Sequence, residues 1–188
     1  MMKARFLAAV VPFLLTAWAQ KAAAQAAYAG TGPGKYISAG VTVSGYESDY
    51  GKRLLAGGTV FADANLTWRI GLEAEARFLR FHQDDDGSHQ TTYLIGPRIS
   101  FHSRAFRPYA KFLVGRGEFE FPFGYAKGSY FVMAPGVGID WRIRQSRMSV
   151  RVIDLQYQRW PNFNIGAPAP YPTLHPYGAS TGISYRFY

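Results

Sequence analysis

Residues 68–78 read Trp68-Arg69-Ile70-Gly71-Leu72-Glu73-Ala74-Glu75-Ala76-Arg77-Phe78. Every even position is apolar. The odd positions carry Arg69, Glu73, Glu75 and Arg77 around Gly71. A period of two is the strand period, because successive side chains point to opposite faces. One face of this strand is wholly apolar and the other is charged. Two kinds of up-and-down barrel use such a strand. A soluble, lipocalin-type barrel turns the apolar face inward, and a membrane barrel turns it outward to lipid.

The alternation recurs in seven other stretches. They are Lys35 to Tyr46, Leu54 to Leu66, Gln90 to Phe101, Arg107 to Phe119, Ser129 to Arg142, Met148 to Trp160 and Pro176 to Tyr188. Asp63, Arg98, Asp140, Arg142, Asp154 and Arg186 also fall on polar faces, beside Gly71, Gly96, Gly136, Gly138 and Gly182. A narrow lumen needs that mixture of long charged side chains that pair and glycines that make room. An unpaired buried charge costs roughly several kcal/mol, and both signs are present. The expected lumen charges are therefore Asp63, Arg69, Glu73, Glu75, Arg77, Arg98, Asp140, Arg142, Asp154 and Arg186, with an acid facing Arg186. Aromatics on the apolar faces (Trp68, Phe78, Tyr93, Phe101, Phe131, Trp141, Tyr157, Tyr185 and Phe187) fall near strand ends, where membrane barrels carry their girdles.

The connections alternate in length. The second, fourth and sixth are short turns; the first, third, fifth and seventh are longer and include HQDDDGSH and PNFNIGAPAPYPTLH. That is the meander of an all-β, eight-stranded antiparallel transmembrane barrel, with short turns on the periplasmic side and longer loops outside.

Composition agrees. Charged residues are 18% of the chain and aromatics 16%, there is no Cys, and the net charge is +9. The absence of Cys excludes disulfides and thiolate metal sites. The basic residues are scattered, so nucleic acid is not an expected partner. Residues 1–26 read as a secretory signal peptide: Lys3 and Arg5, an apolar run from Phe6 to Ala19, then small residues Ala24 and Ala26 at the cleavage site. The run falls short of the roughly 20 residues of a spanning helix. Residues 27–34 form a short linker and 35–188 the barrel.

The last stretch, STGISYRFY, carries a resemblance. Ser180, Gly182, Tyr185 and Phe187 stand where the C-terminal assembly signal of bacterial outer-membrane barrels has its polar residue, glycine and alternate aromatics. Tyr188 overruns that pattern by one residue. The eight-stranded plan resembles the small OmpA/OmpX-type outer-membrane β-barrel family. The resemblance implies a place in the outer membrane, contact with its lipid and lipopolysaccharide, and folding by the outer-membrane assembly machinery. It implies no reaction and no cofactor. No peptidoglycan-binding domain is expected after the last strand.

Three places break the pattern. Pro97 and Pro135 lie inside strands, where a missing N–H predicts bulges or local distortion. Strict alternation puts Arg116 and Glu118 outward, so a bulge at Gly115 or Gly117 is expected to reverse the phase and turn Phe119 and Phe121 out. Arg151 shares the outward face of Ile153 and is expected to snorkel to the headgroups.

Chemistry-bearing constellations are weak. His82, His89, His102 and His175 show no metal-ligand spacing, and His102-Ser103 point to opposite faces of a turn, which disfavours a lipid-modifying hydrolase. Asp84-Asp85-Asp86-Gly87 lacks the downstream bidentate Glu of a calcium loop and reads as a solvated loop tip. Phe119, Phe121, Phe123, Tyr125, Tyr130, Phe131, Trp160, Phe163 and Tyr171 belong to loops or the outer girdle. The expected function is a structural or surface-interaction barrel without enzymatic activity, and the alternative is a narrow porin-like pore.

Overall fold

A computed structural model describes residues 35–49, 54–67, 69–81, 88–101, 105–120, 127–161 and 173–187. Eight strands form: β1 (Tyr36–Glu47), β2 (Leu54–Asn65), β3 (Ile70–Phe81), β4 (His89–Ser100), β5 (Phe106–Glu120), β6 (Lys127–Arg142), β7 (Met148–Tyr157) and β8 (Tyr177–Arg186). Each pairs antiparallel with the next, and β8 pairs with β1 to close the barrel, from Ser38↔Arg186 to Glu47↔Tyr177. No sheet edge remains, as lipid requires.

The faces are inverted relative to a soluble barrel. Along β3, Ile70, Leu72 and Phe78 are exposed, and Glu73, Glu75 and Arg77 are buried inside. Exposed aromatics gather in two belts. Phe78, Tyr93, Phe131, Tyr157 and Tyr177 lie toward the long connections; Phe101, Phe106, Trp141, Tyr185 and Phe187 lie toward the short turns. Trp68 lies outside the described residues. An apolar outer wall of this extent is stable only against lipid.

The lumen has two layers. The half toward the long connections is apolar, built from Tyr46, Leu55, Leu79, Leu94, Leu113 and Phe119 together with Val132, Ala134, Trp160 and Leu174. The charged residues fill the layer below. Trp160 was expected in a loop or the outer girdle. It is 1% exposed instead, because backbone pairing continues past β7 through Met133↔Arg159 and Trp160↔Leu174 and carries the ring into the barrel.

The irregularities differ from expectation. β5 keeps one register against β4 and β6 through Gly115 and Gly117, so no bulge occurs there. Phe119 accordingly points inward, 1% exposed; Phe121 lies outside the described residues. Arg116 and Glu118 stay outward, their side chains 68% and 37% exposed, 3.8 Å apart. They need no phase reversal, because β5 has 15 residues and about 10 suffice to cross the apolar band. Neither proline carries a bulge, but the expected local distortion is present: pairing to β5 is interrupted at Gly96 and Pro97, and pairing to β7 at Ala134 and Pro135. Around Pro97 the β4–β5 register is the same at Ile95↔Val114 and Arg98↔Lys111. Pro135 pairs with Phe112 in an unbroken β5–β6 ladder. A proline forfeits a bond only on the side its N–H would face, and the opposite ladder is unaffected.

The bulge lies in β7 instead. Register shifts opposite Ile139/Asp140 of β6 and between Arg151 and Asp154 against β8. Val152 and Ile153 are both outward, 44% and 39% exposed, and Arg151 turns inward, 1% exposed. This corrects the expected snorkelling Arg151. A charge on the lipid face costs about 2–4 kcal/mol at mid-bilayer, whereas a bulge sends it to partners inside.

Candidate functional site

The charged layer is the chemically dense part of the molecule. Its centre is Glu73 on β3, wholly buried. Arg151 grips it with a fork, Nη1 to Oε1 and Nη2 to Oε2, each 3.1 Å. Arg98 Nη1 donates to its Oε2 at 2.8 Å and Lys111 Nζ to its Oε1 at 2.7 Å. Three cations on one carboxylate offset the cost that a lone buried charge would carry.

The other acids share the same cations. Asp63 accepts from Arg98 at 2.8 Å and lies 3.5 Å from Arg151. Asp140 accepts from Arg98 and, at 3.4 Å, from Arg151 Nε. Asp154 is 2.6 Å from Lys111 and 3.2 Å from Arg151. Glu75 is 3.2 Å from Lys111 and 3.1 Å from Arg77. Five carboxylates thus meet four cations. Aromatic faces line the cations: Arg151 over Phe61 at 3.6 Å, Arg98 over Tyr109 at 3.8 Å and Arg77 over Tyr46 at 4.2 Å.

A ladder of neutral groups joins this layer to the apolar plug. Arg77 Nε donates to Thr59 at 3.0 Å, and Gln156 Nε2 donates to Glu75 at 3.0 Å. Gln158 donates to Gln156 at 3.1 Å and accepts from Gln90 at 3.0 Å and from Trp160 Nε1 at 2.9 Å. Glu73, Glu75 and Asp154 converge as a metal site would, but Lys111 Nζ already lies within hydrogen-bond reach of all three. The ammonium stands where an ion would sit.

Of the residues singled out from sequence, Asp63, Glu73, Glu75, Arg77, Arg98, Asp140 and Asp154 come together in this network. Arg69 does not: it is exposed and precedes β3. Arg142 and Arg186 sit at the mouth nearer the short turns. Arg186 lies over the Tyr36 ring at 4.3 Å, and among the described residues no acid pairs with it. Lys111 and Arg151 were missed. Lys111 had a signal, since it alternates with outward Ala110 and Phe112. Arg151 had none in its own strand's alternation.

The residues of the terminal pattern occupy the closing seam. Ser180 shares a hydrogen bond of 2.8 Å with Ser44, and the Tyr185 and Phe187 rings meet edge-on at 5.2 Å. A Cβ on Gly182 would stand 2.0 Å from the Val41 carbonyl oxygen, so only glycine fits there without moving the backbone. His89 pairs with Glu120 at 3.4 Å, and His175 bonds to Tyr157 and Asp49. Ala24, Ala26, His82, His102, Asp84 to Gly87, Phe123, Tyr125, Phe163, Tyr171 and Tyr188 lie outside the described residues.

Comparison with known proteins completes the description. Residues 8–187 match the family model of the outer membrane protein beta-barrel domain. No curated protein matches significantly in sequence. Among solved structures, Neisserial surface protein A superposes with a TM-score of 0.61 at 9% identity, covering 81% of this chain and 97% of that one. OprG of Pseudomonas aeruginosa gives 0.53 at 13% identity, covering 82% and 96%. Ail of Yersinia pestis, solved with the heparin analogue sucrose octasulfate, gives 0.52 at 16% identity, covering 81% and 97%. At these identities the likeness is one of fold.

Proposed function

The chain belongs to the outer-membrane protein β-barrel family and is a protein of the bacterial outer membrane, and on that premise we propose that it acts as a sealed surface barrel. The observation that carries this is the plug. Leu113 and Val132 have no exposure and Trp160 has 1%, directly above a charge layer in which each of the five acids has a cationic partner. An eight-stranded lumen is only wide enough for side chains, and these fill it.

In this reading the work is done outside the lumen. The long connections face out of the cell, the aromatic belts hold the barrel at both interfaces, and outer-membrane lipid with lipopolysaccharide surrounds it. The leader ending at Ala24-Gln25-Ala26 directs export, leaving the linker 27–34 before the barrel. Ser180, Gly182, Tyr185 and Phe187 are read by the assembly machinery. Catalysis has no part in it. Because the chain has no Cys, single cysteines test the orientation cleanly. On intact cells an impermeant maleimide should label Asp85→Cys in a long connection and leave Gln145→Cys in a short turn unlabelled. Labelling of Gln145→Cys alone would reverse the orientation and remove the surface role.

A further inference from the structure

The seams between strands differ in continuity. Those of β8–β1, β1–β2, β2–β3 and β3–β4 run without a break, so β8, β1, β2, β3 and β4 make one continuous sheet. β5 and β6 make a second, paired without a break from Phe106↔Trp141 to Glu120↔Lys127. The interruptions lie between these two sheets. Pairing of β4 with β5 stops at Ile95↔Val114 and resumes at Arg98↔Lys111, which leaves out Gly96 and Pro97. Below Met133↔Arg159, pairing of β6 with the β7 side resumes only at Gly136↔Gln156, which leaves out Ala134 and Pro135. The two gaps are level. Phe112 and Leu113 face the first, and their partners on β6 are Pro135 and Ala134, the residues of the second. β7 carries the bulge, and its register shifts against both neighbours.

A proline has no N–H for the ladder, so covalent structure fixes both gaps. Lipid offers no donor in its place. The closed wall therefore already lacks bonds at these seams, and parting the strands there gives up fewer than along the continuous ones. Segments with the fewest bonds to their surroundings are the ones that open first. Side chains fasten the β5–β6 pair across the lumen. Lys111 of β5 donates to Glu73 and Glu75 of β3 at 2.7 and 3.2 Å and to Asp154 of β7 at 2.6 Å. Asp140 of β6 accepts from Arg98 of β4 and, at 3.4 Å, from Arg151 of β7. We propose that β5 and β6 form a hinged segment of the wall, which opens as one body along the two proline-interrupted seams and is latched shut by Lys111 and Asp140. The opening is a transient fluctuation of a sealed barrel and produces no steady pore. It holds for either orientation of the barrel in the membrane.

The full chain is folded in phosphatidylcholine nanodiscs, and backbone amide hydrogen exchange is followed residue by residue by NMR. In the unaltered protein, amides on the β4–β5 and β6–β7 seams should exchange at one common rate, at least tenfold faster than those between β1 and β2. Amides between β5 and β6 should stay as slow as the β1–β2 set, because the pair moves together. Pro97→Val combined with Pro135→Val returns both N–H groups at outward positions. It should slow the two seams at least fivefold and change the β1–β2 rates less than twofold. Lys111→Met releases one latch and should speed both seams at least fivefold; Asp140→Asn takes its place if that variant does not fold. Seam amides as slow as those of β1–β2 in the unaltered protein overturn the proposal. Two seams with unrelated rates overturn it too, because they indicate separate fraying, and so do seam rates that the double proline variant leaves unchanged.

Discussion

Arg151 touches Asp63, Glu73, Asp140 and Asp154, more acids than any other cation in the lumen meets. Its removal leaves buried carboxylates short of a partner. Breaking a buried pair from one side costs about 3–5 kcal/mol, far more than the pair contributes net. Arg151→Met should therefore lower the unfolding free energy in lipid vesicles by about that amount, measured by denaturant titration. The contrast is Arg116→Ala. Arg116 makes an exposed pair with Glu118 at 3.8 Å, and such pairs contribute about 0–1 kcal/mol. Similar losses in the two variants would mean that Arg151 is not inside. Glycine matters at this scale where backbones meet. Gly182→Val puts bulk against the Val41 carbonyl at the β1–β8 seam, and the unboiled, faster-migrating band on a detergent gel should shrink sharply.

Among the elements, β7 separates two ways of reading the chain. If Val152 is the bulged residue, deleting it restores plain alternation, with Arg151 inward, Ile153 outward and Asp154 inward. The deletion variant should still form a heat-modifiable barrel. Were Arg151 outward in an unbulged strand, the same deletion would flip everything on one side of it and folding would fail. The faces of β1, β2, β3, β4, β6 and β8 were legible in sequence because their outward runs are uninterrupted. β7 was not, because adjacent apolar residues Val152 and Ile153 permit two phases, and only the acids across the lumen choose between them. β5 misled for another reason: alternation tells which face a residue takes, not its height in the membrane, and Arg116 and Glu118 lie at the strand's outer end. The same gap hid the apolar half of the lumen. Leu79 follows Glu73, Glu75 and Arg77 on one inward face, and the change from charge to plug comes at a height that periodicity does not encode.

At the largest scale the barrel is a wall that is apolar outside and a lumen filled by two layers of different chemistry. The lower layer holds its charges by pairing, and the upper layer packs Leu113, Phe119 and Trp160 into one buried apolar cluster. Neither layer alone seals a barrel as well, since paired charges attract water and an apolar plug with no polar floor would leave Glu75 and Arg77 unsatisfied. Trp160→Gly should loosen the plug, because it removes the ring that donates to Gln158 and packs in the same buried cluster as Leu174. The central claim is that the lumen is sealed, and single-channel recording in planar bilayers tests it most directly. The folded, full-length barrel should give no steady conductance steps, and Trp160→Gly should give more current than the unaltered chain. Steady, ohmic steps from the unaltered protein would contradict the account and make it a pore.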